Sequence, residues 1–329
     1  MSPTHAKPRS NKFLHIVITF IASIVITGQS TLNSELNTFI ENPLLTAVIN
    51  FVTGLIVIIV VMIFQPKLWR AFRTIPGLLR QKQLRWWHLM GGLSGAFFVA
   101  TQSSLVAVLG VSIFTVAVVA GQTSGALITD KFGIGPAGKQ PITLIRIAAA
   151  ILGIVGVVVS VSGDEANGTL AIGSVLLCLA AGFVVSTQPA LNGQIAVRTG
   201  HPIPATMVNF MVGLIAISVA FFGTEYLNPQ GFNIPPMPWV NPVIWLGGPA
   251  GVFFVLTAAF MARTLGVFLF TLTSVVGQLS GAIILDLLLP TAETNITFQL
   301  LLGIVITGLA VVLAGIQPKS KRTQQPSQS

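Results

Sequence analysis

The chain says nearly the same thing twice. Leu109–Asp130 reads LGVSIFTVAVVAGQTSGALITD and Leu265–Asp286 reads LGVFLFTLTSVVGQLSGAIILD; 13 of the 22 positions are identical without a gap. A second pair lies upstream. Gln29–Gly54 carries Gln-x3-Asn, then Pro43, then Asn-Phe-x-x-Gly, and Gln188–Gly213 carries the same pattern around Pro202. A repeat at this spacing means a duplication. Each copy holds five apolar segments. Five is odd, so the second copy enters a membrane upside down relative to the first, the way many secondary transporters are built.

The membrane enters the argument through charge. Only 8% of the 329 residues are charged and 53% are hydrophobic, against about 25% charged in soluble domains. Ten apolar segments run roughly over 13–38, 43–64, 88–108, 111–130, 142–162, 170–196, 203–224, 242–262, 265–289 and 297–316. Most have the length of about 20 residues that crosses a hydrocarbon core. Without water to satisfy the backbone, each is expected to be a helix. The reading is an all-α membrane protein of ten transmembrane helices. Residues 1–12 form a cytoplasmic N-terminus, 13–162 and 163–316 the two inverted repeats, and 317–329 a disordered cytoplasmic tail.

Orientation follows from Lys and Arg. With the N-terminus inside, all 17 basic residues fall on the inner side, six of them in the 65–87 loop. The positive-inside rule therefore puts both termini in the cytoplasm. The net charge of +9 reads as topology, and no nucleic-acid partner is expected. The first segment is kept rather than cleaved as a signal peptide, because Gln29 and Asn33 have counterparts in Gln188 and Asn192. Within the 65–87 loop, Leu68, Trp69 and Phe72 fall on one side of a short helix, and Lys67, Arg70 and Arg73 on the other. That pattern suits an interfacial helix against anionic headgroups.

The candidate site residues are amides. Gln122 and Gln278 sit inside the duplicated Gly121-x3-Gly125 and Gly277-x3-Gly281 pairs, roughly 15–18 Å from their helix starts, near the bilayer midplane. They read as substrate contacts or as interhelical glue. Gln29 and Asn33 share a helix face, with Asn50 on the next helix, in the outer half of the membrane. Gln188, Asn192 and Asn209 form the matching inner trio. Two such clusters around a central pair suit two gates; six structural amides would look the same. Pro189 and Pro249 interrupt apolar segments and are expected to kink them. The acids Glu35, Asp130 and Asp286 are the candidates for proton coupling. Asp130 and Asp286 end the repeated motif, where the helix dipole disfavours a carboxylate. Lys131 and Arg146 lie near Asp130 in topology, whereas Asp286 has no basic residue on its side.

Other chemistry is thin. Gly133-x-Gly135-x-x-Gly138 matches a dinucleotide fingerprint, but no strand precedes it and Pro136 interrupts it. Cys178 is the only cysteine and the histidines number four. They supply no triad or metal set, so neither an enzyme nor a cofactor is expected. Asn167-Gly-Thr and Asn295-Ile-Thr are sequons in form, both expected outside.

Several stretches together resemble the drug/metabolite transporter superfamily and, within it, the bacterial YdcZ-like integral-membrane family. They are Gln188-Pro-Ala-Leu-Asn192-Gly with Asn209-Phe-x-x-Gly213, and Gly121-Gln-x-Ser-Gly125 through Asp130-Lys-Phe-Gly133, with Arg146 opening the next helix. The resemblance spans about 14–316 in a fused two-repeat form. The second half departs after Asp286, with Leu-Leu-Leu-Pro and no Arg matching Arg146. The resemblance implies a multi-pass transporter of the bacterial inner membrane and no catalytic residues. The function expected is secondary-active movement of a small metabolite or drug-like molecule by alternating access; a scaffold or sensor is the alternative. Protons are the candidate coupling ion, and a homodimer is a candidate assembly.

Overall fold

In the computed structural model, residues 12–136, 138–139, 141–162, 168–229, 231–264, 267–288 and 296–314 are described. The N-terminal residues before 12, the tail after 314 and the asparagines of both sequons, Asn167 and Asn295, lie outside them. Among the described residues there are helices and loops and no strand. The helices are α1 (Lys12–Ile40), α2 (Pro43–Ile63), α3 (Pro66–Arg73), α4 (Ile75–Arg80), α5 (Gly91–Phe132), α6 (Leu144–Val161), α7 (Gly168–Val185), α8 (Gln188–Thr199), α9 (Pro202–Leu227), α10 (Gly247–Thr264), α11 (Val267–Leu288) and α12 (Phe298–Ala314). Short 3₁₀ turns, Trp86–Met90 and Val243–Leu246, lead into α5 and α10.

Five helical stretches are long and apolar enough to cross a bilayer: Phe13–Ile40, Pro43–Ile63, Trp86–Phe132, Ile172–Thr199 and Pro202–Leu227. Shorter apolar helices accompany them at Leu144–Ser160, Val243–Ala258, Thr273–Leu288 and Phe298–Leu313. The outer surface carries exposed apolar side chains that water would penalise, among them Ile151 and Val158 on α6, Ile215 and Phe222 on α9, and Val305 and Leu309 on α12. Soluble monomers rarely expose such continuous apolar surface. A lipid-facing belt accounts for it.

Two expected segments, 88–108 and 111–130, are joined in α5, and the break between them falls at Gly110 (φ 76°, ψ 161°). That conformation is essentially confined to glycine. The expected segment 170–196 divides into α7 and α8. Pro189 lies in the first turn of α8, where its missing N–H costs nothing. Pro249 differs from expectation: it is the third residue of α10, which starts at Gly247, so it opens that helix rather than kinking it.

Packing falls into matched contacts. The Phe51 and Phe210 ring centroids lie 5.4 Å apart with the planes tilted by 59°, and each faces the other helix's glycine, Phe210 against Gly54 and Phe51 against Gly213. A Cβ on Gly247 of α10 would meet Asn33 and Asn50, and one on Gly91 of α5 would meet Asn192 and Asn209. Gly251 faces Gln29 as Gly95 faces Gln188. One buried cluster gathers Phe114 and Val116–Ala120 of α5 with Cys178, Leu279 and Ile304. A second joins α2, α9 and the first part of α5 around Phe51, Met62 and Phe210. The α3 helix lies with Leu68 buried and Trp69 and Phe72 packed on the second cluster, while Lys67, Arg70 and Arg73 point outward.

Candidate functional site

Amide side chains gather in two places. In the first, the Asn50 amide donates to the Asn33 carbonyl. Asn33 Nδ2 donates in turn to Gln102 Oε1 at 2.6 Å. Gln102 Nε2 donates to the Ser30 hydroxyl, and Gln29 Nε2 reaches Asn50 Oδ1 at 3.5 Å. All five residues are buried, Gln102 completely. Buried amides demand partners, and here each finds one across three helices, α1, α2 and α5.

The second place is looser. Gln188 Nε2 and Asn192 Nδ2 both donate to the one Asn209 carbonyl, at 2.9 and 3.3 Å. Gln188 is half-exposed and Pro189 exposed. Among the described residues nothing here plays the part of Gln102, and the sequence explains why. Ser30 corresponds to Pro189 in the repeat, and Gln102 corresponds to Ala258. Both partners of the Ser30–Gln102 bond are therefore missing from the second half.

Gln102 escapes a reading of the two upstream repeats because it sits in a third one. Gly91-Gly92-x-x-Gly95-x-Phe97-Phe98-Val99-x-Thr101 recurs as Gly247-Gly248-x-x-Gly251-x-Phe253-Phe254-Val255-x-Thr257. Its glycines are the ones that abut the amide trios. Gln102 immediately follows this motif, where an alanine stands in the copy.

Between α1, α5 and α11 lies a narrow space lined by Ile26, Thr27, Ser30, Phe98, Phe114, Thr115, Val118 and Gln278. The Phe98 and Phe114 rings are 6.0 Å apart. Gln278 Nε2 donates to Ser274 Oγ at 3.2 Å, and Ser23 donates to the same hydroxyl at 2.9 Å. Gln278 is thus in a polar-rimmed, uncharged niche that shares Ser30 with the first amide cluster. Gln122 is half-exposed and does not line that niche.

The three candidate acids part company. Glu35 is exposed. Asp130 forms an ion pair with Arg146, as the sequence expects. Asp286 is 2% exposed and accepts two backbone N–H bonds, from Val111 to Oδ1 at 3.1 Å and from Ser112 to Oδ2 at 2.8 Å. The unfavourable dipole of its own helix end is offset by the N-terminus that opens after Gly110.

The loop after α9 folds back onto α1 and α2. Asn42 caps α2 through Leu45 and donates to Glu225 at 3.0 Å. The Asn233 N–H donates to the Ile40 carbonyl at 2.9 Å.

One solved crystal structure of a protein superposes with a TM-score of 0.57 over 92% of this chain and 96% of the other, at 18% identity; the two share a fold. No curated protein matches the chain. One family model matches twice, over residues 14–159 and again over 174–313, which are the two halves of the duplication. The chain belongs to the family described as "Putative inner membrane exporter, YdcZ".

Proposed function

We propose that the protein is a secondary-active transporter that exports a small molecule across the inner membrane by alternating access. On this reading it has ten spans in two inverted halves. The observation that carries it is the pairing of the amide clusters. Each trio sits on the first two helices of one half and is abutted by a Gly-Gly-x-x-Gly stretch from the other. Contacts that exchange between halves are what two gates require. The first trio is sealed and the second is partly open, which supports an inward-facing form closed outside by Asn33, Asn50 and Gln102. The loop residues 231–242 would cover the same outer end.

The inverted arrangement is testable first as topology. In protein with Cys178→Ala, cysteines placed at Glu225 or Asn167 are expected to react with an impermeant maleimide in intact cells. Cysteines at Leu79 or Lys319 are expected to stay unlabelled. Labelling at Leu79 from outside overturns the orientation.

Transport itself is tested by counterflow in proteoliposomes, using a hit from a thermal-shift screen of a metabolite library. A carrier accumulates label against its gradient, and a channel or scaffold does not. The niche holds hydroxyls, an amide and two phenyl rings but no charge, which favours neutral or amphiphilic molecules. Gln278→Ala is expected to weaken binding of such a hit by about 1–3 kcal/mol, the cost of a lost buried hydrogen-bond partner. Unchanged affinity would make Gln278 packing glue only.

A further inference from the structure

The connector between α2 and α5 carries six of the 17 basic residues: Lys67, Arg70, Arg73, Arg80, Lys82 and Arg85. All six are exposed. The chain has no carboxylate between Glu41 and Asp130, and among the described residues none of the six is in an ion pair. Like charges held on one short element repel one another unless an anion lies over them.

The fold gathers these charges on one side. On α3 they recur at every third position, which is one face of a helix. The opposite face is fastened down: Leu68 is buried, and Trp69 and Phe72 pack on the cluster shared by α2 and α9. Beyond α3 the fastening continues, with Ile75 and Leu84 buried against Ile195 and Ala196 of α8 and Ala205 and Val208 of α9. The chain turns at Lys82, whose backbone is left-handed (φ 57°), a conformation that glycine takes more readily. The Gln83 and Leu84 amides then both donate to the Leu78 carbonyl, at 3.0 and 3.1 Å. The connector thus has an apolar side seated on the protein and a basic side left open.

The depth of that basic side decides its partner. Phe64, three residues before Lys67, is 81% exposed, and Trp86, next to Arg85, is 70% exposed. Such side chains mark the apolar belt and its interface. Three residues of chain span at most about 10 Å, about the distance over which charge acts at physiological salt. The basic side therefore lies level with headgroup phosphates rather than out in solution with soluble polyanions.

We propose that the 66–85 connector is a seat for the headgroups of anionic phospholipids, and that lipid bound there clamps α8 on α9 beside the second amide cluster. Arginine suits the task, because one guanidinium grips a phosphate through two N–H groups. The clamp follows from spacing. Ile195 and Ala196, which the connector covers, lie one turn from Asn192 on α8, and Val208 adjoins Asn209 on α9. Which leaflet supplies the lipid belongs to the orientation proposed above; the binding does not depend on it.

The test uses full-length protein carrying Cys178→Ala and Ala190→Cys, in detergent micelles with added dioleoylphosphatidylglycerol or, for comparison, dioleoylphosphatidylcholine. The anionic lipid is expected to raise the melting temperature by about 3 °C more than the zwitterionic one. It is also expected to slow maleimide labelling of Ala190→Cys, beside the second cluster, by about fivefold, the ratio that about one hydrogen bond's worth of clamping gives. Arg70→Gln with Arg73→Gln is expected to lose at least half of both effects. Lys131→Gln with Lys139→Gln removes the same charge from other exposed positions and is expected to keep them.

Equal effects of the two lipids overturn the proposal, as does an equal loss in the Lys131 and Lys139 pair. Soluble polyphosphate that reproduces both effects overturns lipid as the occupant. A melting shift without slower labelling overturns the clamp. If Arg70→Gln with Arg73→Gln does not fold, Arg80→Gln with Lys82→Gln decides: an undiminished preference for the anionic lipid overturns the seat. None of these measurements involves transport, so the transporter reading stands or falls by its own counterflow test.

Discussion

Gly121→Ala and Gly182→Ala are each expected to lower the melting temperature of the detergent-solubilised protein, whereas Gly28→Ala is expected to raise it. All three lie in helices, where replacing glycine by alanine gains about 0.5–1 kcal/mol in the absence of other effects. The difference is what the new methyl meets. At Gly121 it would sit 2.1 Å from the Leu179 carbonyl oxygen, and at Gly182 2.1 Å from the Val118 carbonyl oxygen. These are reciprocal contacts between α5 and α7, and the atoms struck are backbone, which cannot rotate away. Overpacking of this kind costs about 1–3 kcal/mol or more, and that exceeds the propensity gain. At Gly28 nothing lies within 4 Å, so only the gain remains. Because both damaging methyls part the same two helices, the double variant is expected to lose less than the sum of the singles. A Gly121→Ala protein that melts at or above the parent would show that α5 and α7 do not approach this closely.

That close approach was half legible in the letters. The Gly121-x3-Gly125 spacing marks a helix face that takes a neighbour, but not which neighbour, and Gly182 belongs to no such pair. The helices and the apolar belt follow from composition and period, because lipid leaves the backbone one solution. The Asp130–Arg146 pair was readable because both partners are letters of opposite charge close together in sequence. Asp286 was not, because its partners are backbone amides, which no residue type announces. The break at Gly110 was equally silent: a glycine in an apolar run looks like packing until φ is known. Gln102 was lost for a different reason. A reading built on repeats keeps what recurs, and Gln102 faces Ala258 in the copy. The asymmetry it brings, one amide cluster sealed and one loose, is therefore the part of the site that duplication hides.

The same asymmetry sets the sizes in the last expectation, which concerns the gates. Removing the Asn33 side chain deletes the acceptor of the Asn50 amide and the donor to Gln102, and leaves both residues buried with unmet groups. Each such loss costs about 1–3 kcal/mol. If the two closed forms are near balance, even 1 kcal/mol shifts their ratio about fivefold, and 1.4 kcal/mol about tenfold. Asn33→Ala is therefore expected to raise labelling of Ser34→Cys on the outer side by about tenfold or more and to lower it at Ala190→Cys near the inner trio. Asn192→Ala is expected to act in the opposite sense and more weakly. It removes one 3.3 Å bond to an Asn209 carbonyl that Gln188 still holds at 2.9 Å, in a cluster already open to solvent on one side. Gln102→Ala is expected to follow Asn33→Ala in direction, since it strips the same network from the α5 side. Equal and opposite shifts would mean that the sealed gate draws nothing from Gln102. Shifts on the same side for both asparagines, or none at all, would reduce the two trios to structural amides.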